Sequence, residues 1–154
     1  MTYVEFLANA RPNPHLNGGK GSNLINLINY GINVPPGFIL NTNAYAEFLK
    51  NSSFKEEIFH IFSNDYESED VLNLSRKIER FFLNSEFPYE IVNEIKKAFK
   101  EIHKKLGKKF SFSVRSSANI EDSNNFSFAG QAESYLNITN FSEILKSIKK
   151  CWSS

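Results

Sequence analysis

Between Pro88 and Arg115 the chain changes its hydrophobic period within a few residues, and neither an all-helical nor an all-strand fold accommodates that change. In "PYEIVNEIKKAFKEIHKKLG" (88–107), Ile91, Ile95, Ala98, Phe99, Ile102 and Leu106 fall on one face of a helix. Pro88 opens it, Gly107 closes it, and lysines crowd the C-terminal end, where the helix dipole favours positive charge. Directly afterwards Phe110, Phe112 and Val114 alternate with Ser111, Ser113 and Arg115, the two-residue period of a half-buried strand. A second strand is expected over 133–138. The expected fold class is α+β (mixed α/β), a small sheet packed with helices, in one domain over residues 1–154.

The rest of the chain fits that frame. Residues 2–8 alternate as a first strand. "NGGKGSN" (17–23) reads as a glycine turn, followed by Leu24, Ile25, Leu27 and Ile28 at helical spacing and Gly31 as the C-cap. "VPPGFIL" (34–40) feeds a short apolar strand, and Thr42 is the expected N-cap of a helix through "NAYAEFLK". Helical intervals recur over 54–63 and 71–83. A last helix starts near Ser142 and ends in "KKCWSS", with Ile144, Leu145, Ile148 and Trp152 on an apolar face for which the chain supplies no later partner. That face suggests a cut chain. No internal repeat or linker is visible.

With 154 residues, 41% hydrophobic and 23% charged, the chain is long and apolar enough to bury a core. Its formal charge of +1 provides no global field for nucleic acid or an anionic membrane, so neither is an expected partner. The single Cys151 cannot form an internal disulfide. The N-terminus has no signal-peptide pattern, and no run approaches the roughly 20 apolar residues of a membrane span. A cytoplasmic location is expected.

Two features stand out against this background. In "NGGKGSN" the glycines let the backbone approach a ligand, the start of the following helix favours an anion, and Lys20 adds a mobile cation. The stretch matches neither the P-loop, which needs Gly-Lys-Ser/Thr, nor the dinucleotide fingerprint. On these residues alone, a glycine-rich turn with a solvated lysine is the stronger account. Arg115, on the opposite face of its strand from Phe112 and Val114, could grip a phosphate with two hydrogen bonds or pair with Glu121 or Asp122. "SFAGQ" (127–131) is either a flap bringing Gly130 N–H onto an anion or a hairpin bend around a buried Phe128.

Other groups carry less. His15, His60 and His103 lack metal-ligand spacing, and the latter two are expected on helix surfaces. Glu121 and Asp122 are adjacent and point apart. Ser116 and Ser117 have no base to activate them as nucleophiles.

Taken together, "GGKGSNLINLINYGINVPPGFILNTNAYAEFL" (18–49), "VRSSANIEDSNNFSFAGQAESYLNI" (114–138) and "KKCWSS" (149–154) resemble one family, in order and spacing. It is the ATP-binding domain of phosphoenolpyruvate synthases, pyruvate phosphate dikinases and rifampin phosphotransferases. "GGKGSNL" with "VPPGF" leans toward the rifampin phosphotransferases and synthase-like relatives. The resemblance implies the N-terminal lobe of an ATP-grasp site. In it Lys20 contacts the nucleotide phosphates, Arg115 holds phosphate oxygens, Gly130 covers them from the flap, and Ser134 offers a hydroxyl where relatives often have threonine. It also implies that the Mg ligands, the phosphorylated carrier histidine and the acceptor site lie in other domains of the parent enzyme or in another chain. No catalytic residue is then expected in this chain. A non-catalytic nucleotide- or partner-binding module is the alternative, and a self-associating structural role is a third possibility.

Overall fold

The computed structural model describes residues 2–53, 56, 70–107, 109–117 and 134–154. In chain order its elements are β1 (Val4–Phe6), α1 (Pro14–Asn29), β2 (Phe38–Leu40), α2 (Thr42–Lys50), α3 (Asp70–Asn84), α4 (Tyr89–Leu106), β3 (Phe112–Arg115), β4 (Ser134–Ile138) and α5 (Phe141–Ser153). The α+β class is as expected, but the described strands form two separate antiparallel ladders, β1 with β2 and β3 with β4. Apart from residue 56, the 54–63 stretch lies outside the described residues.

The helix read most clearly from the sequence forms as expected. Pro88 sits at the N-cap of α4 and Gly107 at its C-cap with φ 80°. Ile91, Ile95, Ala98 and Ile102 are fully buried, whereas Leu106 at the last turn is exposed. One core joins this face to Ala44 of α2, Ile138 of β4, and Ile144 and Ile148 of α5. α4 also anchors the N-terminal strand. Glu94 accepts hydrogen bonds from the Tyr3 and Val4 amides at 2.8 and 2.9 Å. Bonds to a carboxylate are the stronger class. Glu94→Ala is therefore expected to cost about 2 kcal/mol and to open those two amides to hydrogen exchange. An unchanged urea midpoint would show that Glu94 does not hold β1.

The β3–β4 ladder contains a bulge with a clear cause. Tyr135 and Ile138 both turn toward the core, three residues apart, although a regular strand alternates every two. Opposite them Val114 pairs with Tyr135 and Phe112 with Ile138, so β4 carries one residue more than β3 over that interval. Asn137 absorbs it with φ 58°, a left-handed conformation that asparagine tolerates better than most residues. Without the bulge Ile138 would face solvent.

Two sequence expectations are corrected here. The apolar face of the last helix is covered by the chain itself: Ile144 and Ile148 are buried, and Trp152 packs on Tyr45, Phe48 and Phe87. That face is therefore packed within the described residues and is not left open for a partner. His103 is not a plain surface residue either. It is half-buried, 4.4 Å from the Phe99 ring and 4.6 Å from Phe110 between centroids. His60 lies outside the described residues.

Candidate functional site

The glycine turn is a kink inside a helix rather than a turn before one. α1 already starts at Pro14, capped by the Asn13 side chain, which accepts from the His15 and Leu16 amides. Asn followed by Pro is a readable N-cap signal. Gly18 then leaves helical geometry, with φ 68° and ψ 171°, and the helix resumes through Gly19, Lys20 and Gly21. That backbone region belongs almost entirely to glycine. Similarly, α2 is capped by Asn41 rather than Thr42, whose hydroxyl instead donates to the His15 carbonyl of α1.

The kink meets the end of β3. The Ser117 hydroxyl accepts from Gly21 N–H and donates to the Asn17 carbonyl, both at 3.1 Å. A Cβ at Gly18 would overlap the Ser117 hydroxyl and carbonyl oxygens. The sequence thus placed Gly18, Lys20 and Gly21 on one feature and Arg115 on another, and the fold joins the two through a residue two positions beyond Arg115. Asn17 and Ser22, each 3% exposed, flank the kink. Among the described residues Asn17 Oδ1 and Ser22 Oγ have no hydrogen-bond partner, which is uncommon for buried polar atoms.

Arg115 and Ser134 are brought together as direct partners in the β3–β4 register. Opposed residues of an antiparallel pair present their side chains on the same face, about 5 Å apart. Both are exposed, while Phe112 and Val114 are half-buried, as the alternation predicted. Among the described residues Arg115 has no ion-pair partner. Glu121, Asp122, Phe128 and Gly130 lie outside the described residues. Lys20 is half-buried on the resumed part of α1. Arg115 and the Ser134 hydroxyl thus share one face, and Ser117 brings the helix segment that carries Lys20 to the end of the same strand. One expectation changes: the Gly21 amide, at the start of that segment, is already used by Ser117.

Ser117 is the residue that sequence reasoning missed. It was weighed only as a nucleophile, and nothing along the chain signals a hydroxyl placed to meet a helix roughly a hundred residues away. Among the described residues no group of three or more His, Cys, Asp or Glu could hold a metal ion. Nor, among those residues, is any helix long and apolar enough to cross a membrane.

Comparison with known proteins shows the family. Residues 15–154 match the family described as "Pyruvate phosphate dikinase, AMP/ATP-binding domain". The chain is 37% identical over 142 residues to a probable phosphoenolpyruvate synthase of Staphylothermus marinus, covering 89% of this chain and 17% of that protein. It is 34% identical over 152 residues to an uncharacterized phosphotransferase, YvkC, of Bacillus subtilis, covering 99% and 16%. The phosphoenolpyruvate synthase of Pyrococcus furiosus is 32% identical over 172 residues, covering 89% and 21%. The chain thus spans about a fifth or less of the length of these relatives. The match extends over both the α1 kink and the Arg115–Ser134 pair, and the chain belongs to the pyruvate phosphate dikinase AMP/ATP-binding domain family.

Proposed function

We propose that this chain binds the phosphates of ATP along the edge formed by Lys20, Arg115 and Ser134, as the N-terminal ATP-grasp lobe of a larger cytoplasmic phosphotransferase. The observation that carries this reading is the convergence of the two motif regions: Ser117 ties the Lys20 segment to the strand end where Arg115 faces Ser134. Arg115 supplies a planar fork for phosphate oxygens, Lys20 a mobile point charge, and Ser134 a neutral hydroxyl. Gly130, outside the described residues, is assigned by the family resemblance to the cover over the phosphates. In the whole protein, ATP phosphorylates a carrier histidine that passes the group to an acceptor such as pyruvate or a rifamycin hydroxyl. Phosphoryl transfer needs Mg to neutralise developing charge. The family resemblance assigns its ligands to the remainder of the parent protein.

The test is an NMR titration of the isotope-labelled chain with Mg·ATP. Amide shifts are expected at 18–23, 115 and 134, and Lys20→Ala should abolish them. Arg115→Ala should weaken binding roughly 10- to 100-fold, the equivalent of one lost charged hydrogen-bonding group. Absence of shifts at these positions up to millimolar ATP would overturn the proposal.

A further inference from the structure

We infer that Ser117 is a positioning residue, a hydroxyl inserted into the hydrogen-bond ladder of α1 that fixes the Lys20 segment against the Arg115 strand end. This inference rests on the nucleotide reading above and deepens it. In an unbroken α-helix the Gly21 N–H would donate to the carbonyl four residues earlier, that of Asn17. Here the Ser117 hydroxyl stands between those two groups, accepting from the first and donating to the second at 3.1 Å each. Insertion of a side chain into the ladder is a recognised cause of a helix kink. The kink occurs at Gly18, whose φ of 68° opens the ladder. Gly18 also lacks the Cβ that would collide with Ser117.

The insertion has a geometric consequence for the site. Lys20 immediately precedes Gly21, the donor to Ser117, and Arg115 lies two residues before Ser117 on the same strand end. The two cations are therefore set relative to each other through one hydroxyl and two short stretches of backbone. A polyanion that bridges them requires that spacing to be fixed before it binds, since each angstrom of freedom lost on binding weakens it. Ser117 need not touch the ligand to do this. Its O–H and one of its acceptor lone pairs are engaged by α1.

The experiment compares the wild-type chain with Ser117→Ala and Ser117→Thr, reading two quantities. Residual dipolar couplings give the orientation of residues 19–29 of α1 relative to 112–115 of β3, and Mg·ATP titration gives the affinity. In Ser117→Ala the Gly21 amide is expected to close directly onto the Asn17 carbonyl, rotating the resumed part of α1. ATP binding should weaken about tenfold. Ser117→Thr retains the hydroxyl and should restore both the orientation and the affinity to near wild-type values. If wild type binds ATP while Ser117→Ala leaves orientation and affinity unchanged, the positioning role is overturned and the nucleotide reading stands. If no protein responds to ATP but Ser117→Ala still rotates α1, the nucleotide reading fails and the inserted hydroxyl stands. Equal loss in both variants would reduce Ser117 to a packing residue. Should Ser117→Ala not fold, rapid exchange of the wild-type Gly21 amide, as fast as an open loop amide, would itself overturn the insertion.

Discussion

Gly18→Ala is expected to destabilise the chain by about 3 kcal/mol or more, through two separable effects. The first is backbone strain. With φ 68° and ψ 171°, Gly18 occupies a region that side-chain-bearing residues enter at a cost of about 1–3 kcal/mol. The second is overlap, because the new Cβ meets the carbonyl oxygen and hydroxyl of Ser117. Backbone cannot step aside as a flexible side-chain end can, so β3 and α1 would have to separate. Overpacking of this kind adds about 1–3 kcal/mol.

Gly107 provides the control. Its backbone lies in the same region, with φ 80° and ψ −154°, and no atom of the described residues, beyond its chain neighbours, lies within 4 Å of a Cβ placed there. Gly107→Ala should therefore report strain alone, and the difference between the two variants in urea denaturation reports the Ser117 overlap. Equal losses would mean that the kink and β3 are not in close contact. In addition, Gly18→Ala should remove the ATP-dependent shifts at 115 and 134, which Gly107→Ala should leave in place.

The same residue shows where the sequence stopped being readable. Three glycines around a lysine suggest a turn, because glycine is among the weakest helix formers. What restores the helix is tertiary: the Ser117 hydroxyl stands in for the broken ladder bond, and Asn13 and Pro14 start the helix earlier than the apolar periodicity indicated. By contrast, α4 was legible because its period, proline start and glycine stop are all local. Arg115 facing away from Phe112 and Val114 was legible for the same reason, since alternation alone fixes the face. Its pairing with Ser134 was not. That register depends on the Asn137 bulge, and only the need to bury both Tyr135 and Ile138 explains the bulge. Local rules thus single out Lys20 and Arg115 as candidates, while long-range packing decides that Arg115 meets Ser134.

The last helix makes the same distinction testable, and Phe48→Ala is a second variant with a large expected loss, about 3–5 kcal/mol. Phe48 is fully buried in α2, with ring centroids 5.6 Å from Phe82 of α3, 5.3 Å from Phe87 and 5.1 Å from Trp152 of α5. Its removal leaves a ring-sized void where three elements meet, and rigid neighbours on different helices cannot all collapse into it. Stabilities of natural domains run about 5–15 kcal/mol, so a loss of this size removes a large part of the total. Tyr89→Ala, at a residue 74% exposed, should by comparison change little. Trp152 is the only tryptophan in the chain, so its fluorescence reports this cluster directly. In Phe48→Ala its emission should shift to the red before global unfolding, as α5 loosens from α2. A loss below about 1 kcal/mol with unshifted emission would mean that α5 does not dock here. The apolar face of Ile144, Ile148 and Trp152 would then need a partner outside this chain, as its sequence alone had suggested.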